Sequence, residues 1–208
     1  MPVIVKKSIS NNISLSIWSI EESLDFFLSN LSLTKNCKQR LNKLRTDEMK
    51  KQFLAVRKLI QLNGISLDSL HYSPEGIPFL KNEKNISISH IKGFSSIAIS
   101  PKPVGIDIQD FRDKILNISK KFINSEERDL IDPNSIKELT LVWCIKEATY
   151  KVCRKPGLDF KDEIKIQSIS DNLSHSIIKV EKLNKKHFFE SFNITESDYI
   201  CSIVESNE

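Results

Sequence analysis

Residues 104 to 110 read Val-Gly-Ile-Asp-Ile-Gln-Asp, and this alternation of apolar and polar residues predicts a β-strand. Successive side chains of a strand point to opposite faces, so Gly105, Asp107 and Gln109 share one face. Side chains two residues apart on a strand lie about 7 Å apart, close enough to hold one ion between them or through a water. Two interpretations remain open, an ion-binding pair and a plain amphipathic edge strand.

Further along, residues 135 to 154 predict one long helix, which begins with a serine cap and a glutamate three residues later. Trp143, Glu147 and Lys151 recur every four residues in this helix and therefore share one face, with Lys146 beside them. This face carries an acid and a base that could act in catalysis. The alternative is a solvent-exposed Glu147–Lys151 ion pair that contributes only a few tenths of a kcal/mol.

The chain on either side of these segments predicts two halves with a similar order of elements. The first half is predicted to contain a strand over 13–18, a helix that begins at residue 19 or 21, a helix over 46–63, a loop over 65–84, and a hairpin of strands over 85–90 and 94–100. The second half adds helices over 114–123 and 125–131 and, after the long helix, strands near 163–169, 175–183, 186–194 and 198–204. Pro101-Lys102-Pro103 is a stiff connector, so we expect an α+β fold with halves 1–102 and 103–208.

Composition and charge limit the function classes. The chain has 208 residues, 39% of them hydrophobic, and a net charge of +4, which is too small to indicate nucleic-acid binding by itself. No stretch approaches the roughly 20 apolar residues of a membrane helix, and the N-terminus does not resemble a secretory signal, so we expect a cytoplasmic protein. The four cysteines form no CxxC pair and are expected to be reduced. The sequence has no phosphate-binding loop, GxGxxG, HExxH or GxSxG motif.

Three further polar residues are candidates for anion binding. Arg57 lies in the predicted helix over 46–63, where a surface position is the alternative interpretation. Ser89 and His90 come at the end of the predicted strand over 85–90, and an imidazole there can donate to a phosphate or simply form polar surface.

Taken together, these segments resemble the 4'-phosphopantetheinyl transferase superfamily, in the larger type that activates peptide synthetases and related carrier proteins. In chain order, the similar segments are Arg57 with Leu59-Ile60, Glu75-Gly76-Ile77-Pro78, Ile86-Ser87-Ile88-Ser89-His90, Val104-Gly105-Ile106-Asp107-Ile108-Gln109, and Trp143-Cys144-Ile145-Lys146-Glu147-Ala148 followed by Lys151. Each segment is a weak signal alone, but five in the family's order and at its usual separations make a specific pattern.

The resemblance implies two similar α+β halves related by a pseudo-twofold axis, with coenzyme A in the cleft between them, and a monomer. It implies transfer of the 4'-phosphopantetheine arm of coenzyme A to a serine of an apo acyl or peptidyl carrier protein, with release of adenosine 3',5'-bisphosphate. By resemblance, Mg²⁺ or Mn²⁺ is the cofactor, with Asp107 and Glu147 as its ligands. Glu147, directly or through a metal-bound water, is also implied as the base for the carrier serine, and Lys151 as the group that neutralises or protonates the departing bisphosphate.

The same resemblance implies that Arg57, Ser89 and His90 bind coenzyme A, the arginine and the histidine at its 3'-phosphate, while Lys146 contacts the pyrophosphate. Charge-assisted hydrogen bonds of this kind would distinguish coenzyme A from its dephospho form.

Two positions depart from the family pattern. Gln109 stands where the family has a second acid, so an amide oxygen would replace one anionic metal ligand. Ile77 stands where the family's Gly-Lys-Pro loop has its lysine. An alternative function is therefore an impaired family member that binds coenzyme A or a carrier protein without transfer. A basic module that binds RNA or an acidic protein is a third class, but it would need a one-sided basic stripe with interleaved aromatic residues, which the sequence lacks.

Overall fold

The computed structural model describes residues 3–9, 12–81, 84–154, 156–183 and 185–206. The chain divides into two units, Met1–Pro101 and Lys102–Glu208. Each unit packs one antiparallel sheet against one long helix, which confirms the predicted α+β class. The pseudo-twofold relation between the halves stays a prediction. None of the helices in the described ranges has the length and apolar character needed to cross a membrane.

The first unit contains a four-stranded antiparallel sheet with strand order β1-β2-β6-β5 and a small β3-β4 ribbon. Its elements are β1 (Val3–Ile9), β2 (Ile13–Ser19), α1 (Leu24–Ser29), α2 (Lys35–Leu41), α3 (Asp47–Leu62), a 3-10 turn (Leu67–Ser69), β3 (Leu70–Tyr72), β4 (Pro78–Leu80), β5 (Asn85–Ile91) and β6 (Phe94–Ser100). The predicted strands of the hairpin and the helix over 46–63 are confirmed. β1, α2 and the ribbon within the supposed loop were not predicted.

Local capping explains where the helices of this unit begin and end. The Thr46 hydroxyl accepts a hydrogen bond from the Met49 N–H at the start of α3, and Gly64 with φ +71° follows its C-terminal end. The expected helix from residue 19 or 21 starts only at Leu24, because the Ser23 hydroxyl caps it by accepting from Phe26 N–H. It ends after two turns, and α2 then begins as a separate helix capped by Thr34.

The second unit contains a five-stranded antiparallel sheet with strand order β7-β11-β10-β9-β8. Its elements are β7 (Val104–Asp110), α4 (Lys114–Ile118), two 3-10 turns (Ser119–Lys121 and Glu127–Asp129), α5 (Ile136–Cys153), β8 (Ile164–Ile169), β9 (His175–Lys182), β10 (Lys185–Thr195) and β11 (Tyr199–Ser206). The four predicted strands after the long helix are confirmed. The predicted helix over 125–131 is wrong, because that segment forms only the second 3-10 turn.

Helix α5 lies very close to β7. A side chain at Gly105 would collide with the backbone carbonyl of Ala148, so only glycine permits this approach. The Cys144 thiol donates to the carbonyl oxygen of Asp107 over 3.1 Å and joins the helix to the same strand. β7 is an edge strand of its sheet, yet Asp107 is only 3% exposed. Such burial is not expected for Asp107 in a solvated amphipathic edge strand. The close approach of α5 to β7 brings Lys151 of the helix into contact with Asp107.

Candidate active site

Asp107 is the centre of a polar cluster in the second unit. Lys151 Nζ donates to Asp107 Oδ1 over 2.7 Å and to the carbonyl oxygen of Ile106 over 2.8 Å. Gln109 Nε2 donates to Asp107 Oδ2 over 2.7 Å, as expected for residues that share one face of a strand. Each oxygen of this buried carboxylate therefore accepts a strong hydrogen bond from a side chain of the protein.

Glu147 is the second carboxylate of the cluster and is half-buried on α5. Its pKa lies above the ordinary 4.5, first because burial disfavours the charged form and second because the negative charge of Asp107 is close. Lys151 acts in the opposite direction and lowers the pKa of Glu147. Asp107, Glu147 and Lys151 thus interact electrostatically as one group.

This group has the chemistry of a site for a hard divalent cation. Mg²⁺ binds through oxygen atoms, commonly one or two carboxylates completed by waters and substrate phosphates. Asp107 and Glu147 provide two carboxylates whose repulsion a cation would relieve, and Gln109 provides an amide oxygen. No cluster of three or more His, Cys, Asp or Glu side chains suited to a metal occurs in the described ranges.

Lys146, the neighbour of Glu147, points away from this cluster. Its side chain is fully buried, and its ammonium donates to the carbonyl oxygens of Phe122 (2.6 Å) and Phe160 (2.7 Å). It also pairs with Glu127, whose Oε1 lies 2.7 Å from Lys146 Nζ. Because every N–H of the ammonium has a protein acceptor, this arrangement argues against the expected contact of Lys146 with a pyrophosphate and assigns the lysine to the core of the unit.

Glu127 was missed by the sequence reasoning, although a local signal was present. Asn124 Oδ1 accepts from the Glu127 N–H over 2.9 Å, and Glu127 Oε2 accepts from the Asn124 N–H over 3.1 Å. This reciprocal pair resembles a capping box, and the Asn-x-x-Glu spacing at 124–127 is its sequence signature. The second oxygen, Glu127 Oε1, accepts from Ile166 N–H over 2.8 Å.

A separate cavity of about 370 Å³ lies in the first unit between α2, α3 and the β3-β4 ribbon. Arg57 and His90 both line it, so two of the residues predicted to bind coenzyme A are brought together. Gly76 and Pro78 line it as well, which puts the loop with Ile77 at the same cavity. Ser89 is not among its lining residues, because it is buried on the face of β5 opposite His90.

Arg57 is buried, so the alternative interpretation of a surface arginine is wrong. It is 3% exposed, and its guanidinium lies over the Phe53 ring at 3.3 Å from the ring centre. Its Nη1 donates to the Phe53 carbonyl over 3.2 Å and its Nη2 to the Tyr72 hydroxyl over 3.0 Å. Arg57 thus brings positive charge to the cavity wall and fixes Tyr72.

Arg40 is a cation at this cavity that the sequence reasoning did not single out. Its guanidinium lies 3.7 Å from the centre of the Tyr72 ring, and its side chain is half-buried. The sequence does contain a signal for the helix that carries Arg40. Thr34 is a capping residue, and the apolar residues Cys37 and Leu41 follow it at helical spacing. Arg40, Arg57 and His90 together make this cavity suited to an anion.

Comparison with known proteins adds one finding. Residues 103–204 match the family model described as the 4'-phosphopantetheinyl transferase superfamily. A search of curated proteins found no match to the chain. The matched region runs through β7, α5 and β11 and includes the cluster around Asp107, while the cavity of the first unit lies outside it.

Proposed function

Because the chain belongs to the 4'-phosphopantetheinyl transferase superfamily, whose members carry out phosphopantetheinyl transfer, we propose that it moves the 4'-phosphopantetheine arm of coenzyme A to a serine of an apo carrier protein. Adenosine 3',5'-bisphosphate is the second product. The observation that supports this proposal is the convergence of Glu147 and Lys151 of α5 on the buried Asp107 of β7. Two carboxylates and an ammonium are thereby within one small group.

The reaction would proceed by attack of the carrier serine oxygen on the β-phosphorus of coenzyme A. A new phosphorus–oxygen bond forms to serine, and the bond from this phosphorus to the oxygen that bridges the two phosphates breaks. Glu147 takes the serine proton, because it is the half-buried carboxylate beside Asp107 and Lys151. Lys151 neutralises the charge that accumulates on the departing bisphosphate.

A bound Mg²⁺ or Mn²⁺ would polarise the phosphoryl oxygens and neutralise the charge of the pyrophosphate. We propose that Asp107 and Glu147 hold this ion, with the amide oxygen of Gln109 in place of a third carboxylate. The hydrogen bond from Gln109 to Asp107 Oδ2 keeps the aspartate oriented toward the same space.

We propose that the cavity of the first unit binds the 3'-phosphorylated nucleotide of coenzyme A. Arg40 and His90 are the exposed or half-exposed donors that a phosphate can reach. Arg57 adds charge and holds Tyr72 in place, so we assign it a supporting contact rather than the main one. The protein is proposed to act as a monomer in the cytoplasm, with the apo carrier protein and coenzyme A as its partners.

The test is intact-mass spectrometry of an apo carrier protein incubated with the protein, coenzyme A and Mg²⁺. The expected result is a gain of one phosphopantetheine group, lost in Asp107→Ala and in Glu147→Ala. Lys137→Ala, which removes an exposed charge from the first turn of the same helix, is the matched control and should retain transfer. No gain with several carrier types, despite measurable binding of coenzyme A, would contradict transfer and favour the alternative of a binding or regulatory protein.

A further inference from the structure

Lys151 occupies the position of a cation beside Asp107. The two side chains form an ion pair of 2.7 Å, with the aspartate side chain 5% exposed and the lysine side chain 30% exposed. The other aspartate oxygen is held by the amide of Gln109, which contributes a hydrogen bond but no charge. Lys151 therefore places a compensating positive charge at Asp107 Oδ1.

We propose that a divalent metal ion enters this site by displacing the Lys151 ammonium from Asp107 Oδ1, so that Lys151 lowers the affinity of the protein for the ion. The inference rests on the proposed function, because it concerns the same metal site. It adds a role for Lys151 that precedes the chemistry, namely a competitor for the carboxylate that the ion needs.

Repulsion between the Lys151 ammonium and a divalent cation is the physical basis of this competition. An ammonium and a divalent cation bound to the same carboxylate would lie about 4 Å apart, and their repulsion weakens ion binding by roughly tenfold or more even with water-like screening. The lysine has a place to remain after displacement, because its second hydrogen bond runs to the backbone carbonyl of Ile106 rather than to the carboxylate. The exchange therefore needs only a small rotation of the ammonium.

Displacement would also order the events at the site. While Lys151 is paired with Asp107, its charge is neutralised and is less available to a phosphate. With an ion held by Asp107, the Lys151 ammonium would keep its hydrogen bond to the carbonyl oxygen of Ile106 and would be available to a phosphate of the substrate.

The experiment is calorimetric titration of metal-free protein with Mn²⁺ at about pH 8, in the absence of coenzyme A and carrier protein. Lys151→Met is expected to bind Mn²⁺ at least about tenfold more tightly than the wild type, because the competing charge is gone. Lys137→Met removes the same charge from the other end of α5, about 20 Å away along the helix axis, and should bind like the wild type. Unchanged or weaker binding by Lys151→Met would overturn the proposal.

A second variant protects the test against a folding defect. Lys151→Gln removes the charge but keeps an N–H donor for Asp107, so it should also bind Mn²⁺ more tightly than the wild type. Circular dichroism establishes whether each variant is folded. If wild type and both variants transfer or bind coenzyme A but none binds Mn²⁺, the exchange is refuted while the transferase proposal survives. If Mn²⁺ binds as expected and no carrier is modified, the transferase proposal fails and the exchange survives.

Discussion

Replacing Lys146 by methionine should destabilise the second unit strongly and leave coenzyme A binding intact. The lysine is fully buried and its ammonium donates to two carbonyls and to Glu127 at distances of 2.6 to 2.8 Å. Burial is the main reason that the pKa of Lys146 lies below its ordinary 10.5, and Glu127 is the main group that opposes this shift. Without the lysine, Glu127 would remain as a buried charge without its cation.

Removal of one partner from a buried ion pair costs about 3–5 kcal/mol, whereas loss of an exposed ion pair costs about 0–1 kcal/mol. We expect the larger value here because the Glu127 carboxylate cannot rotate out to solvent without losing further contacts. It also accepts hydrogen bonds from the N–H groups of Asn124 and Ile166. A double variant, Lys146→Met with Glu127→Gln, should lose less stability than Lys146→Met alone, since no uncompensated charge remains buried.

The assay is urea unfolding, followed by circular dichroism and by tryptophan fluorescence. Trp143 is a suitable reporter because its ring packs against Phe122 at 5.1 Å and Phe160 at 5.4 Å between ring centres, next to the carbonyls that Lys146 binds. Lys137→Met serves as the exposed control. If Lys146→Met lowers the free energy of unfolding by less than about 1 kcal/mol and also weakens coenzyme A binding, the prediction is wrong, because Lys146 would then face the ligand.

Three other predictions concern the strand, the second carboxylate and the cavity. Gly105→Ala should lower the free energy of unfolding in urea by about 1–3 kcal/mol and reduce transfer, because the added Cβ would push the Ala148 backbone and α5 away from β7. An unchanged unfolding midpoint would contradict this close packing. In NMR titrations of metal-free protein, the Glu147 carboxyl should titrate above 4.5, and Asp107→Asn should lower that midpoint, since burial and Asp107 both raise the pKa. A midpoint at or below 4.5 in the metal-free protein would refute this interaction between the two carboxyl groups. Arg40→Met should weaken coenzyme A binding about tenfold or more and leave dephospho-coenzyme A unaffected; equal losses for both ligands would exclude a 3'-phosphate contact.

The sequence predicted β7 and α5 well because their signals are local. Alternation with a period of two identified the strand and put Asp107 and Gln109 on one face, and the structure joins these two side chains by a hydrogen bond. The cap at Ser135 located the start of α5 within one residue. Both signals depend on spacing and on short-range hydrogen bonds, which a single sequence contains.

The direction of each side chain was harder to predict. Successive residues of a helix point about 100° apart, so Glu147 can face Asp107 while Lys146 faces the core. Similarly, Ser89 and His90 are neighbours in the sequence but lie on opposite faces of β5. A motif written as adjacent letters does not specify which of its residues is enclosed, because that depends on tertiary packing.

The elements that were missed have weak local signals. α2 spans only Lys35–Leu41 and is rich in charged and polar residues, so its apolar period is short. β1 spans Val3–Ile9 and contains two adjacent lysines that interrupt the alternation expected of a strand. β1 forms by pairing with β2, an interaction between segments that pattern reading treats separately.

The central claim is that Asp107 and Glu147 work as one unit in phosphopantetheinyl transfer, and a double-mutant kinetic measurement tests it most directly. Values of kcat/KM for an apo carrier protein would be compared among the wild type, Asp107→Asn, Glu147→Gln and the double variant, at saturating Mg²⁺ and coenzyme A. If the two carboxylates act together, each single variant should lose nearly as much activity as the double variant. Losses that multiply in the double variant would mean that the two residues act independently, and would contradict the account.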